Sequence, residues 1–375
     1  MSATLDPTHP NDEHHGDHAH EHMPFQAHHF DDPEQQFDAG KLGIWLFLVT
    51  EVLFFSGMFC AYALYRSLHP EVFIFASQFL NETLGAFNTG VLLFSSLSMA
   101  WGVRCAQLRQ RTGLVVALAI TLGCAAIFLG VKAIEYSHKF DLGLVVAGHY
   151  VPQSTHAGVH HEGLSQWLIY FSILPAVCVV GFLGWYLFAL SRRDKATAEI
   201  AGPFLTTALC YFVGVGIGMV FQNFEEQAQA KEHLTATVSP TGIGGPTVAE
   251  IESDEAKAVA HATADHEAHG APVGKDRHIE SASVASMGFQ PGEPTDLEVD
   301  QKGRAGLFFS IYYCMTGVHA VHILGGMLVL GWLLIRATKD HFNESYFGPV
   351  DYVGLYWHLV DLIWIYLFPL LYLIK

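Results

Sequence analysis

Charge is scarce in this chain, and thiol chemistry is scarcer still. Asp, Glu, Lys and Arg make up 15% of the 375 residues, and none of the four occurs between Leu164 and Leu190. Water-soluble surfaces usually carry about 25–35% charged residues, so an ordinary soluble domain is excluded. The six cysteines, Cys60, Cys105, Cys124, Cys178, Cys210 and Cys314, form no C-x-x-C pair and no zinc-type spacing. That excludes a thiolate metal site, and each thiol reads as a small buried hydrophobe. The 19 Lys and Arg form no basic run, which excludes a nucleic-acid interface. No basic segment followed by an apolar one precedes Lys41. A cleaved signal peptide is therefore not expected, and the first apolar segment is expected to be its own insertion signal.

What the chain does have is apolar length: 51% of its residues are hydrophobic. They concentrate in seven runs, about 41–66, 83–103, 114–137, 164–190, 203–224, 306–335 and 350–374. At about 1.5 Å per residue, each can cross a hydrocarbon core of about 30 Å as a helix. The sequence predicts an all-α polytopic membrane protein, a seven-helix transmembrane bundle with a polar tail and one long polar loop. Its expected parts are a His-rich disordered tail (1–40), three spans (41–140), a loop with two further spans (141–224), an acidic loop (225–305) and two last spans (306–375). The formal charge of −17 belongs to the appendages. Residues 1–40 hold nine acids and no Lys or Arg, and 225–300 hold fifteen acids against four bases, so the remainder is near +3. Lys and Arg cluster after the second, fourth and sixth runs, as Arg104, Arg109, Arg111; Arg192, Arg193, Lys195; and Arg336, Lys339. By the positive-inside rule the N-terminus is expected in the cytoplasm, with the C-terminus and the acidic loop outside.

Ionisable groups inside apolar runs are costly, and they are the candidate functional residues. Glu51 lies about ten residues into the first run, roughly 15 Å deep. A carboxyl there is expected to be neutral or paired with a donor, and both a proton-handling role and a plain interhelical bond stay open. Glu135 follows Lys132 by three residues, the spacing of a helical ion pair. His319 and His322 share a face of the sixth span and are expected to bond neighbouring helices, with Glu51 or Asp361 as partners, rather than to bind metal. His358 and Asp361 also stand three apart, in the last span. Arg336 and His341, after the sixth span, suit lipid phosphates or ordinary snorkelling. The tail histidines, among them His14, His15, His18, His20 and His22, permit weak transition-metal binding.

Several of these stretches resemble subunit III of the haem-copper cytochrome c oxidases, and in the family's order. They are Lys41-Leu-Gly-Ile-Trp-Leu-Phe-Leu-Val-Thr-Glu-Val-Leu-Phe-Phe55, Phe87-Asn-Thr-Gly-Val-Leu-Leu93, Leu129-Gly-Val-Lys-Ala-Ile-Glu-Tyr136, Met315-Thr-Gly-Val-His-Ala-Val-His322 and Tyr356-Trp-His-Leu-Val-Asp361. The resemblance implies a non-redox subunit with no catalytic residue and no metal of its own. Haem and copper would be carried by oxidase subunits I and II, its partners in a bacterial inner membrane. It further implies bound phospholipid, with Arg336 and His341 as lipid contacts, Glu51 as the family's buried carboxyl, and support of proton uptake. Two helices that begin the family's long form are absent, and 141–300 is expected to be an insertion whose two helices take their place. A basic soluble cytochrome c would suit the acidic loop. The alternatives are a subunit III-like protein of a quinol oxidase or nitric oxide reductase, and a transition-metal transporter using the His-rich segments. A transporter should show a connected series of intramembrane ligands, which these few residues do not supply.

Overall fold

The computed structural model describes residues 30, 32–144, 165–237, 305–342 and 346–374. The expected disorder of 1–29, the histidines of the 145–164 connection and most of the acidic loop lie outside the described residues. The chain divides into two compact units, Met1–Met219 with Val299–Lys375, and Val220–Glu298. The second is described only along 220–237.

Among the described residues eight α-helices run in order: α1 Pro33–Leu68, α2 Pro70–Ser77, α3 Glu82–Gln107, α4 Arg111–Asp141, α5 Gln166–Ser191, α6 Lys195–Thr237, α7 Ala305–Thr338 and α8 Gly348–Phe368, closed by a π-helical turn, Pro369–Leu373. Seven helices among the described residues are long and apolar enough to span a membrane. The protein is an all-α polytopic membrane protein. In lipid every backbone group must be bonded within its own segment, which is why apolar runs of this length emerge as continuous helices.

Three differences from the sequence reading have local causes. The first helix begins at Pro33, inside the expected tail, where Pro at N1 and Glu34 in the first turn favour initiation. The sixth continues to Thr237, past the expected start of the acidic loop. Residues 225–234, Glu-Glu-Gln-Ala-Gln-Ala-Lys-Glu-His-Leu, are mostly strong helix formers with no Pro or Gly. Between the first two spans lies α2, too short for the hydropathy reading to register; its Val72, Phe73 and Ala76 are buried.

The three loops rich in basic residues share one turn. Arg109, Arg193 and Asp340 adopt φ of 55°, 54° and 55°. Each is followed by an N–H that reaches back five residues, Gln110 to Cys105 at 2.8 Å, Asp194 to Ala189 at 3.0 Å and His341 to Arg336 at 3.2 Å. These are Schellman-type helix ends built without glycine. Basic side chains at such ends complement the negative pole of the helix. At the start of α6 Asp194 accepts from the Thr197 amide and from its hydroxyl, at 3.3 and 2.6 Å. Those bonds hold its carboxyl below the usual range.

The centre of the main unit is α4: 67% of its most apolar stretch is buried, against 6% for that of α5. A short loop folds α4 back antiparallel on α3, with Gly102 facing Ala117 and the Ser98 and Thr121 hydroxyls 2.7 Å apart. Helix α8 lies against α3, α7 and α1, and α5 against α4. Backbone contact joins α4 to α6, because a Cβ on Gly130 would strike the Tyr211 carbonyl and one on Gly214 would strike Ile127. Gly218 faces Ile134 one turn further on. The Gly214/Gly218 spacing thus does what small-residue spacing does in membranes, which is to let two helices meet backbone to backbone.

Polar clusters inside the helix bundle

The most buried ionic group is built on α4. Glu135 accepts from the Lys132 ammonium through Oε2 and from the Lys139 ammonium through Oε1, both at 2.7 Å, and all three side chains are at most 6% exposed. Tyr372 and Tyr312 donate to the same Oε1 at 2.5 and 2.8 Å. Lys132 also donates to the Tyr372 hydroxyl at 2.6 Å and lies 4.6 Å over the Trp364 ring. Two cations face one carboxylate, a formal +1 that the phenols and the indole face solvate in place of water. The sequence flagged Glu135 and Lys132 as a pair near a helix end. Lys139, one turn on at i+4, was visible in the same pattern. Tyr312 and Tyr372 were not, because only folding brings α7 and the π-turn there. That turn is itself tied down: Tyr62 donates to the Leu370 carbonyl at 2.7 Å and Arg66 to that of Ile374 at 2.9 Å.

Glu51 and His322 meet between α1 and α7. The carboxylate Oε2 lies 2.9 Å from Nε2, with the two side chains 17% and 20% exposed. The Val318 carbonyl, a pure acceptor, lies 2.8 Å from Nδ1 of the same ring. Nδ1 must therefore carry hydrogen, and one proton is left to be shared between Nε2 and Glu51. The pair can exist as imidazolium–carboxylate or imidazole–carboxylic acid and can pass that proton across 2.9 Å without changing its net charge. Phe54 and Phe55 flank the imidazole.

The histidine expected to share this face, His319, turns elsewhere. It is fully buried, stacked on Trp364 at 5.4 Å and edge-on to Phe128 at 5.7 Å, and neither ring nitrogen has a partner. Three residues on a helix span about 300°, enough to aim the two rings at different neighbours. His358 and Asp361 instead turn toward one side chain: His358 Nδ1 lies 2.6 Å from the Ser96 hydroxyl of α3, and the Asp361 carboxyl faces that same Ser96. Asn88 of α3, like His319, is buried and unpartnered. Leaving such a group unsatisfied costs about 1–3 kcal/mol.

Arg336, at the end of α7, lies among the rings of Trp332, Phe342 and Tyr346 at 5.0, 5.9 and 5.8 Å. His341 follows it in the Schellman turn, its Nδ1 without a hydrogen-bond partner. Among the described residues, no three His, Cys, Asp or Glu gather as a metal ion would require.

The sequence matches the family model for cytochrome c oxidase subunit III over residues 21–187 and 302–375, more than half its length. The chain belongs to the cytochrome c oxidase subunit III family. A probable cytochrome c oxidase subunit 3 of Mycobacterium leprae is 38% identical over 66 residues, covering 18% of this chain and 33% of that protein. Cytochrome c oxidase subunit 3 of Thermostichus vulcanus is 39% identical over 72 residues, 19% and 36% of the two chains. A haem-copper oxidase subunit I+III of Aeropyrum pernix is 35% identical over 71 residues, 19% of this chain and 9% of that one. These alignments span about a third or less of the relatives' own lengths. Glu51, Glu135, His319, His322, Arg336, His341, His358 and Asp361 all fall within the residues that match the subunit III family model, as does most of α5, whereas α6 lies outside them.

Proposed function

We propose that this protein is the non-redox third subunit of a proton-pumping terminal oxidase that reduces oxygen to water in aerobic respiration. The observation that carries the reading is the family match on both sides of the long loop, enclosing the Glu51–His322 pair. In this reading the chain holds no haem or copper and packs against the catalytic subunit that does. The I+III name of the Aeropyrum pernix relative supports that partner, since it assigns both parts to one chain. The N-terminus is cytoplasmic and the C-terminus external, in a bacterial inner membrane, as the Lys and Arg of the short loops favour. Arg336 and His341 hold lipid phosphate at the cytoplasmic edge. The Glu51–His322 pair, partly exposed at the bundle surface, supports proton uptake by the catalytic subunit. The helices of 164–224 cover a lipid-filled face of the other five, and the acidic loop attracts a basic cytochrome c.

Purification in mild detergent tests this. Co-elution with haem-bearing chains that consume oxygen is the expected result, with faster inactivation of the oxidase when this chain is deleted. A haem-free preparation, or an oxidase indifferent to the deletion in both activity and durability, would overturn it. Elution with bound transition metal and no haem would favour the transporter.

A further inference from the structure

Serine hydroxyls inside helices ordinarily bond back to their own backbone. Those of Ser56, Ser67, Ser98 and Ser137 do so here, each to the carbonyl three residues earlier at 2.7–2.9 Å. Ser96, near the middle of α3, instead bonds across to α8, where His358 Nδ1 lies 2.6 Å away. The Asp361 carboxyl, one turn along α8 from His358, faces the same hydroxyl. One serine of α3 therefore stands between an imidazole and a carboxyl of α8.

The two ends differ in access. Asp361 is 2% exposed, whereas His358 is only partly buried. Ser96 occupies Nδ1 of His358, and Nε2 has no hydrogen-bond partner among the described residues. A hydroxyl can accept one proton while it donates another, and an imidazole can take a proton on one nitrogen and release one from the other. Asp, Glu and His chains within spans commonly serve as proton relays.

We propose that Asp361, Ser96 and His358 form a proton relay joining a carboxyl inside the bundle to the bundle's flank. With the proton on Asp361, its O–H bond breaks as a new one forms on Ser96 Oγ. The original Ser96 O–H breaks as Nδ1–H forms on His358. A carboxylate and an imidazolium result, so the net charge stays at zero. The imidazolium then releases a proton from Nε2 to an acceptor outside the chain, and the reverse sequence reloads Asp361. This unit lies between α3 and α8, apart from the Glu51–His322 pair of α1 and α7, where carboxylate and imidazole meet directly.

The test uses the purified protein with whatever chains accompany it, so its outcome does not depend on the oxidase reading. Infrared spectra taken on transfer to heavy water should show a prompt shift of the Asp361 carboxyl band, identified by its loss in Asp361→Asn. Ser96→Ala should slow that shift by about 10²-fold or more, the usual contribution of a positioned proton-transfer group. His358→Phe should slow it as much, and Ser96→Thr, which keeps the hydroxyl, should restore it. Cys124→Ala, which removes a thiol of α4 that also feels the Asp361 charge, should leave the rate unchanged. Exchange as fast in Ser96→Ala or His358→Phe as in the unaltered protein would overturn the proposal. So would exchange slowed by Cys124→Ala alone, or the lack of any carboxyl band that Asp361→Asn removes.

Discussion

Replacing Glu135 by Gln isolates the energetics of the buried cluster, because it removes one charge and almost no volume. The carboxylate is 3% exposed and accepts two ammoniums at 2.7 Å and two phenols. Gln leaves Lys132 and Lys139 facing each other with no counter-charge, so the formal charge rises from +1 to +2. Removing one partner of a buried ion pair costs about 3–5 kcal/mol. At about 2–4 °C per kcal/mol for a chain of this class, the melting temperature should fall by about 6–20 °C. The readout is the temperature at which heated, detergent-solubilised protein leaves its monodisperse size-exclusion peak. Glu199→Gln is the control: its pair with Arg111, also 2.7 Å long, is 56% and 44% exposed. Such a pair is worth about 0–1 kcal/mol. Adding Lys139→Met to Glu135→Gln returns the formal charge to +1 and should recover part of the loss. If Glu135→Gln melts no lower than Glu199→Gln, the cluster is not held by charge compensation and the reasoning fails.

Tyr372→Phe removes the two hydrogen bonds that its hydroxyl gives to Glu135 and takes from Lys132, each worth about 1.5–3 kcal/mol, and should lower the melting temperature in the same assay. Gly214→Leu should drive α6 off α4, since even a Cβ meets the Ile127 backbone; the check is lower yield of folded protein, whereas Gly216→Leu, with open space at its Cβ, should be tolerated. Glu51→Gln should abolish the proton shared with His322, and infrared difference spectra should lose a carboxyl band while an imidazole band shifts; an unchanged imidazole band would mean that the pair is not coupled. Deleting 238–298, which carries eleven acids and three bases, should slow turnover with a basic soluble cytochrome at low ionic strength and not at high salt, where charges beyond about 8–10 Å are screened. Equal rates at both would leave that loop without a steering role.

The sequence by itself determined the class, the seven spans and the segregation of charge. Hydrocarbon imposes a one-dimensional rule: a run of about twenty apolar residues must close its own backbone bonds, and hydropathy reads that directly. It also marked Glu51, Glu135, His322 and Asp361, because ionisable groups in apolar runs stand out without any knowledge of neighbours. What it did not decide was pairing. His319 and His322 look equivalent on a helix, yet one meets Glu51 and the other only aromatic rings. His358 and Asp361 look like partners, yet what they share is Ser96 of another helix. Tyr312 and Tyr372 carried no signal at all, being ordinary residues in apolar company. Those outcomes depend on how each helix is rotated about its axis and on which helix lies across from it. Both are set by packing, such as the backbone contact at Gly130 and Gly214, between segments far apart in the chain.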